Sequence, residues 1–215
     1  MTKTQLLKQI FNLNESWLSE EGFLPQKKSF EFIKTDSNGY QKIQISCAQV
    51  GNRFYLTFGL LVRINKLEDL IRPYTGTNES FWKEGASILT SAIFLKGDIN
   101  EKQYIIDKEE DITKVNDDFK NLMNEKGFKW LEKYNNNIAL LDEELNSDKP
   151  LNPDYLQLLM RPLYGIAAAK LNNNPNYNEI VKMHLSKWQE KAKENAEFQR
   201  NVERIEKLAD HLAKG

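Results

Sequence analysis

From Phe30 to Val62 apolar and polar residues alternate with a period of two, and two turn dipeptides, Asn38-Gly39 and Gly51-Asn52, cut the stretch into three. Alternation of this kind marks half-buried strands, and Asn-Gly favours a two-residue hairpin turn because both residues tolerate positive φ. Two-residue loops at both places pair Phe30 with Cys47 and Phe32 with Ile45, then Ile45 with Phe58 and Cys47 with Leu56. The predicted core row is Phe30, Phe32, Ile43, Ile45, Cys47, Leu56, Phe58 and Leu60. The opposite face carries Glu31, Ile33, Lys42, Gln44, Ser46, Tyr55, Thr57 and Gly59. A slip of one residue would turn a whole strand's apolar set outward, so turns and alternation must agree on one facing.

Around this meander the period changes to that of helices. Leu6, Leu7, Ile10, Phe11, Trp17 and Leu18 recur at helical spacing over Thr4 to Glu21, with Gly22 as a left-handed stop. This stripe needs a surface, and the core face of the meander supplies one. A short helix over Asn65 to Ile71 is expected to end before Pro73, leaving Tyr74 to Gly85 as a loop that carries Phe81 and Trp82. Two more strands are predicted at Ile88 to Leu95 and Gln103 to Ile106, linked through Gly97-Asp98-Ile99-Asn100, for a sheet of about five. The acidic run Asp107 to Asp111 opens a helix through Met123, where its charge offsets the macrodipole, and Gly127 is placed to stop it. Two short helices follow, Lys129 to Tyr134 and Ile138 to Leu145.

Beyond Asn146, the residues Ser147, Asp148, Pro150 and Pro153 read as a linker, which divides the chain into an α+β sheet domain, 1–147, and a helical extension, 148–215. A helix over Asp154 to Asn172 should kink after Arg161 because of Pro162. Gly165 and Ala167 to Ala169 keep its second half thin enough for another helix to approach. After the turn Asn172 to Pro175, the stretch Asn176 to Lys214 has neither Pro nor Gly, and some 36 residues of it would span roughly 54 Å as one helix. Lys191 and Asn195 interrupt its apolar seam. Either the seam meets another chain, giving self-association through the C-terminal helix, or the helix breaks near Asn195 and folds back onto the sheet domain; the weak seam favours the break.

A helix ending in Gly-Phe, a meander, the Asp-Lys-Glu-Glu-Asp run at 107–111 and the segment Lys126-Gly127-Phe128-Lys129-Trp130-Leu131-Glu132-Lys133-Tyr134 together resemble an uncharacterised bacterial family of small α+β domains. The resemblance extends to about Leu145 and implies a cytosolic protein without assigned catalysis, of the kind associated with immunity or antitoxin roles. A toxin is then the partner it implies. The turn Asn174-Pro175-Asn176-Tyr177 is also similar to a tetratricopeptide junction, although a repeat array needs about three units.

Composition narrows the chemistry. Thirty basic and 31 acidic residues leave a net charge of -1, which provides no global field to attract nucleic acid. No run of about 18 apolar residues is present and the start has no secretory pattern, so no membrane span is expected and a cytoplasmic setting is. The single cysteine, Cys47, falls in the core row and reads as an inert hydrophobe. The sequence holds no glycine-rich phosphate loop, zinc-type His-Glu-x-x-His pair or nucleophile elbow, so neither cofactor nor metal is expected. Its two histidines, His184 and His211, read as packing and as solvated residues. The one constellation with catalytic potential is Glu31, Ser46, Tyr55 and Thr57 on the second sheet face, where a carboxylate beside hydroxyls could activate water. Tyr74 and Trp82 join it as candidate ligand contacts. The leading expectation is a non-enzymatic protein-binding module, with a hydrolase or small-ligand enzyme on the polar face and a helical-repeat scaffold as alternatives.

Overall fold

A computed structural model of the chain describes residues 1–97, 103–147 and 160–214, with the side chains at 81, 82, 84 and 197 outside the description. It is an α+β protein: an N-terminal helix, an antiparallel sheet, then a series of helices. The chain forms two compact units, Met1–Arg63 with Ile88–Asn135, and Ile64–Ser87 with Asn136–Gly215. The first holds the sheet. The second is helical and takes in segments on both sides of the expected boundary at 147, which itself adjoins residues outside the description.

In the sheet unit, helix α1 (Lys3–Glu20) begins with a capping box in which Gln5 N–H donates to Thr2 Oγ1 and Thr2 N–H to Gln5 Oε1. It ends at Gly22, whose φ of 87° lets Phe23 N–H reach back to the Leu18 carbonyl at 2.9 Å. Of the predicted stripe Leu6, Leu7, Ile10, Phe11 and Leu18 are buried, and Trp17 is half-buried. Phe11 stacks on Phe32 at 4.4 Å between centroids.

Among the described residues the strands are β1 (Leu24–Gln26), β2 (Glu31–Thr35), β3 (Gly39–Val50), β4 (Arg53–Ile64), β5 (Ile88–Ser91) and β6 (Tyr104–Ile106), one more than expected. They run in the order β1-β2-β3-β4-β5, with β6 also paired to β4. β5 pairs with Gly59 to Val62 and β6 with Phe54 to Leu56, so the two share one edge of β4 end to end. β1 escaped the pattern because it has only three residues, one of them Pro25, which an edge strand tolerates.

The meander's faces are as predicted, but its first register is not. Phe32 stands opposite Ile43, not Ile45, and Glu31 opposite Gln44. The cause lies in the turn: Asp36 Oδ1 accepts from both Asn38 N–H (2.7 Å) and Gly39 N–H (3.0 Å), an Asx turn that reverses the chain one residue early. Neither Asn38 nor Gly39 has positive φ. Because the pairing moves by two residues, the side chains keep their faces and Phe32, Ile43, Ile45, Cys47, Leu56, Phe58 and Leu60 are all buried. Phe30 leaves the row: its φ of 55° places it in the turn before β2, half-buried. At the second turn, Gly51 has φ 60° between the end of β3 and the start of β4.

The expected strand to Leu95 stops at Ser91, where a 3₁₀ turn (Ala92–Lys96) carries Ala92 and Ile93 into the core. Of the predicted link, Gly97 has φ 87° and 98–100 lie outside the described residues. Gly127 does not stop a helix either. α3 (Glu110–Leu122) passes through a π turn (Met123–Gly127) into α4 (Phe128–Tyr134), with Phe128 N–H bonded to the Met123 carbonyl. Gly127 is there because a Cβ would meet the sulfur of Met123. An ordinary helical glycine replaced by alanine gains up to about 1 kcal/mol. Here the sign reverses: Gly127→Ala is expected to lose about 1–3 kcal/mol by overpacking, read from urea denaturation midpoints.

In the helical unit, α2 (Asn65–Thr75) runs through Pro73 rather than ending before it, so Tyr74 lies in its last turn. One missing backbone bond is outweighed by buried Leu67, Ile71 and Thr75, and Gly76 (φ 72°) ends the helix. The expected loop also contains a 3₁₀ turn, Glu79–Glu84. α5 (Ile138–Asn146), α6 (Arg161–Leu171), α7 (Tyr177–Glu194) and α8 (Gln199–Ala213) complete the unit. α6 starts at Arg161 with Pro162 in its first turn, and residues 154–159 of the longer predicted helix lie outside the description. Ala167, Ala168 and Ala169 are fully buried and let α2, α5, α7 and α8 pack around α6. The long terminal helix breaks at Asn195, whose extended backbone (φ −147°, ψ 116°) leads into a short 3₁₀ turn. α8 then returns along α7, α6 and α2 with Val202, Ile205, Leu208 and Leu212 buried.

Candidate functional site

The predicted polar constellation lies on the outward face of the sheet unit, and the register shift rearranges it. Glu31 faces Gln44 across the β2–β3 pair, and Ser46 lies two residues farther along β3. The Glu31 carboxylate is engaged at both oxygens: Oε1 accepts from Gln44 Nε2 (2.9 Å) and pairs with Lys42 Nζ (3.2 Å), and Oε2 accepts from Ser29 Oγ (2.9 Å). Lys42 is almost wholly buried and its ammonium also sits 5.3 Å from the Tyr40 ring centroid. Ser29 and Lys42, the groups that hold Glu31, were not singled out from the sequence. Ser29 reaches Glu31 locally, two residues away, and the register set by the Asx turn brings Lys42 and Gln44 to it. Thr57 Oγ1 accepts from Gln103 Nε2 at 3.3 Å, and Tyr55 lies opposite Ile105 of β6. Gly59 sits beside Gln44, with Ser91 across from it.

Tyr74 and Trp82 belong to the helical unit. Tyr74 is half-buried, its ring 6.0 Å from that of His211; Trp82 is in the 3₁₀ turn and its side chain is outside the description. Glu31, Ser46, Tyr55 and Thr57 belong to the sheet unit.

Two buried polar clusters in the helical unit were not read from the sequence. In one, the fully buried Glu68 carboxylate accepts from Ser87 Oγ (2.9 Å), lies 2.8 Å from the Tyr164 hydroxyl and pairs with Arg72. In the other, Asp142 accepts from the side-chain amides of Asn146 (2.7 Å), Asn172 and Asn174 (both 2.8 Å). Asn146 Nδ2 also donates to the Gly165 carbonyl, which fixes its amide and leaves Oδ1 to accept from His184 Nε2 at 2.8 Å. His184 therefore carries its proton on Nε2. A Cβ on Gly165 would meet Asn146 Oδ1 at 2.5 Å, so the helix is narrowed there to admit this amide. The available signal was the coincidence of Asp142 with Asn146 and the Asn172–Asn174 run, which looks like turn chemistry when read alone.

Burial, with Arg161 and Lys187 adding positive field, holds the His184 imidazole at about 4, below its ordinary 6.5. The unfolded chain therefore binds a proton that the folded one refuses. Stability from this group is intact above pH 6.5 and declines as pH falls from there to about 4. The loss over that window is expected to approach roughly 3 kcal/mol, and His184→Gln should flatten the pH dependence of the denaturation midpoint there.

No family model, curated protein or solved structure matches the chain. No helix among the described residues is long and apolar enough to cross a membrane.

Proposed function

We propose that the protein is a non-enzymatic binding module, with the outward face of the sheet unit as its recognition surface and another protein as its partner. The observation that carries this reading is the state of Glu31. A general base needs a free lone pair aimed at a proton within hydrogen-bond reach. Glu31 instead spends both oxygens on Ser29, Lys42 and Gln44. Between the Glu31–Lys42 pair and the rim the face carries Ser46, Ala48, Val50, Tyr55, Thr57 and Ile105, none of them charged. Val50 is 66% and Ile105 48% exposed, and the Arg53–Asp107 ion pair stands at the rim. An uncharged centre with charges around it is the composition of a protein interface. A toxin held by its immunity protein is one partner of this kind.

A photoreactive residue at Ile105 tests the reading. In cells of the native host it should give one discrete adduct, absent when the same group is placed at the exposed Lys182 of α7. Equal labelling from both positions, or none from Ile105, rejects it.

A further inference from the structure

We propose that two copies of this chain pair edge to edge through the second half of β3. β2 is bonded to β3 only from Tyr40 to Gln44, and one more bond follows, from Ile45 N–H to the Phe30 carbonyl at 2.9 Å. There the chain turns away toward β1, while β3 continues to Val50. Among the described residues no strand pairs with Ser46 to Val50 on that side. In an antiparallel ladder the N–H and C=O of a residue point to the same edge and alternate along the strand. Ile45 points to the β2 side, so Cys47 and Gln49 do too, and Ser46, Ala48 and Val50 point to β4.

Such edges are normally guarded by lysine, proline or a bulge. The outer edge of this sheet is guarded in that way: β1 contains Pro25 and is followed by Lys27 and Lys28. The β3 overhang lies in Gln44-Ile45-Ser46-Cys47-Ala48-Gln49-Val50, which has no charge, proline or glycine. Ser46, Ala48, Gln49 and Val50 are exposed.

The same stretch of a second copy meets these requirements. Antiparallel pairing about a two-fold axis beside Ala48 sets Ala48 opposite Ala48, Cys47 opposite Gln49 and Ser46 opposite Val50 of the second copy, with no like charges facing and the edge N–H and C=O groups of Cys47 and Gln49 matched to one another. Ser46, Ala48 and Val50 of the two chains would form one outward face. An interface of this kind is isologous and closes at two copies. The pairing uses backbone groups at Cys47 and Gln49, so the side chains of Ser46, Ala48 and Val50 stay on the proposed recognition face and Tyr55 and Ile105 are not used by it.

Sedimentation equilibrium of the full chain tests it. The wild type should rise to two chains per particle at high micromolar concentration. Gln49→Pro, which removes one edge amide at an exposed site, and Ala48→Lys, which places like charges in apposition, should both remain single with an unchanged circular dichroism spectrum. Amide exchange on the wild type gives a reading free of substitutions: protection at Cys47 and Gln49 should rise with protein concentration, and that at Ser46 and Ala48 should not. A wild type that stays single at millimolar concentration, a dimer that survives both substitutions, or exchange at Cys47 and Gln49 that ignores concentration overturns the proposal.

Discussion

Glu68→Ala is expected to cost the helical unit about 3–5 kcal/mol, the usual penalty for breaking a buried ion pair from one side. Glu68 is fully buried and Arg72, one turn later, is nearly so. The guanidinium packs so closely on Gly85 that a Cβ there would overlap it, which holds it against the backbone on that side. Removing the carboxylate leaves a buried cation and takes an acceptor from the hydroxyls of Ser87 and Tyr164. Ser87 Oγ also accepts from Ile64 N–H at 2.9 Å, so the cluster ties together the two ends of the segment 64–87. With each kcal/mol worth about 4–8 °C for a unit of roughly 100 residues, the transition of this unit should fall by some tens of degrees at the upper limit. Replacing both partners with methionine should cost much less than Glu68→Ala, because the apolar pair leaves no uncompensated charge. Differential scanning calorimetry reads both variants. A loss below about 1 kcal/mol for Glu68→Ala would mean that the charge finds water on its removal.

What was legible in the sequence was whatever a single periodicity controls. The faces of β3 and β4, the stripe of α1, the break at Asn195 and the thin side of α6 each follow from residues that act within one element. What was hidden depended on a competition between local signals. Asn38-Gly39 is a strong turn signal, yet Asp36, two residues earlier, offers its carboxylate to both amides and wins. Pro73 is a strong breaker, but it sits where α2 already buries Ile71 and the Glu68–Arg72 pair. Gly127 looks like a stop because its reason for being glycine is a sulfur one turn away in space. The candidate site suffered from the first of these. A two-residue shift kept Glu31 on the predicted face and changed its neighbours from hydroxyls to Lys42 and Gln44, which changes its chemistry from a possible base to a spent one.

The second large effect concerns where the chain can be cut. The Pro- and Ser-containing stretch after Asn146 invites a truncation there, but a fragment ending at Asn146 should lose the structure of α2 and α5. Both helices bury their apolar sides against α6, and α2 also against α8, all beyond the cut or around it. Leu67, Ile71, Leu141 and Leu145, each nearly fully buried, would be exposed together. At about 1.5–3 kcal/mol for each such side chain the loss approaches 6–12 kcal/mol, comparable with the whole stability of a small domain. Glu68 would also lose Tyr164, and Asp142 two of its three amide donors. The sheet unit has a different fate, because Val62 and Ile88 are already paired where 64–87 departs and returns. A shorter chain ending at Asn135, with 64–87 replaced by a tight turn, makes β4 and β5 an ordinary hairpin and keeps the Phe11, Phe32, Phe58 and Phe119 core. It is expected to give a dispersed amide spectrum and a cooperative melt, whereas the fragment 1–146 binds a hydrophobic dye and shows less helix than α1 to α5 would supply. A well-folded 1–146 fragment with full helix content would show that α2 and α5 do not need α6 and α8, and that the helical unit is less cooperative than its packing indicates.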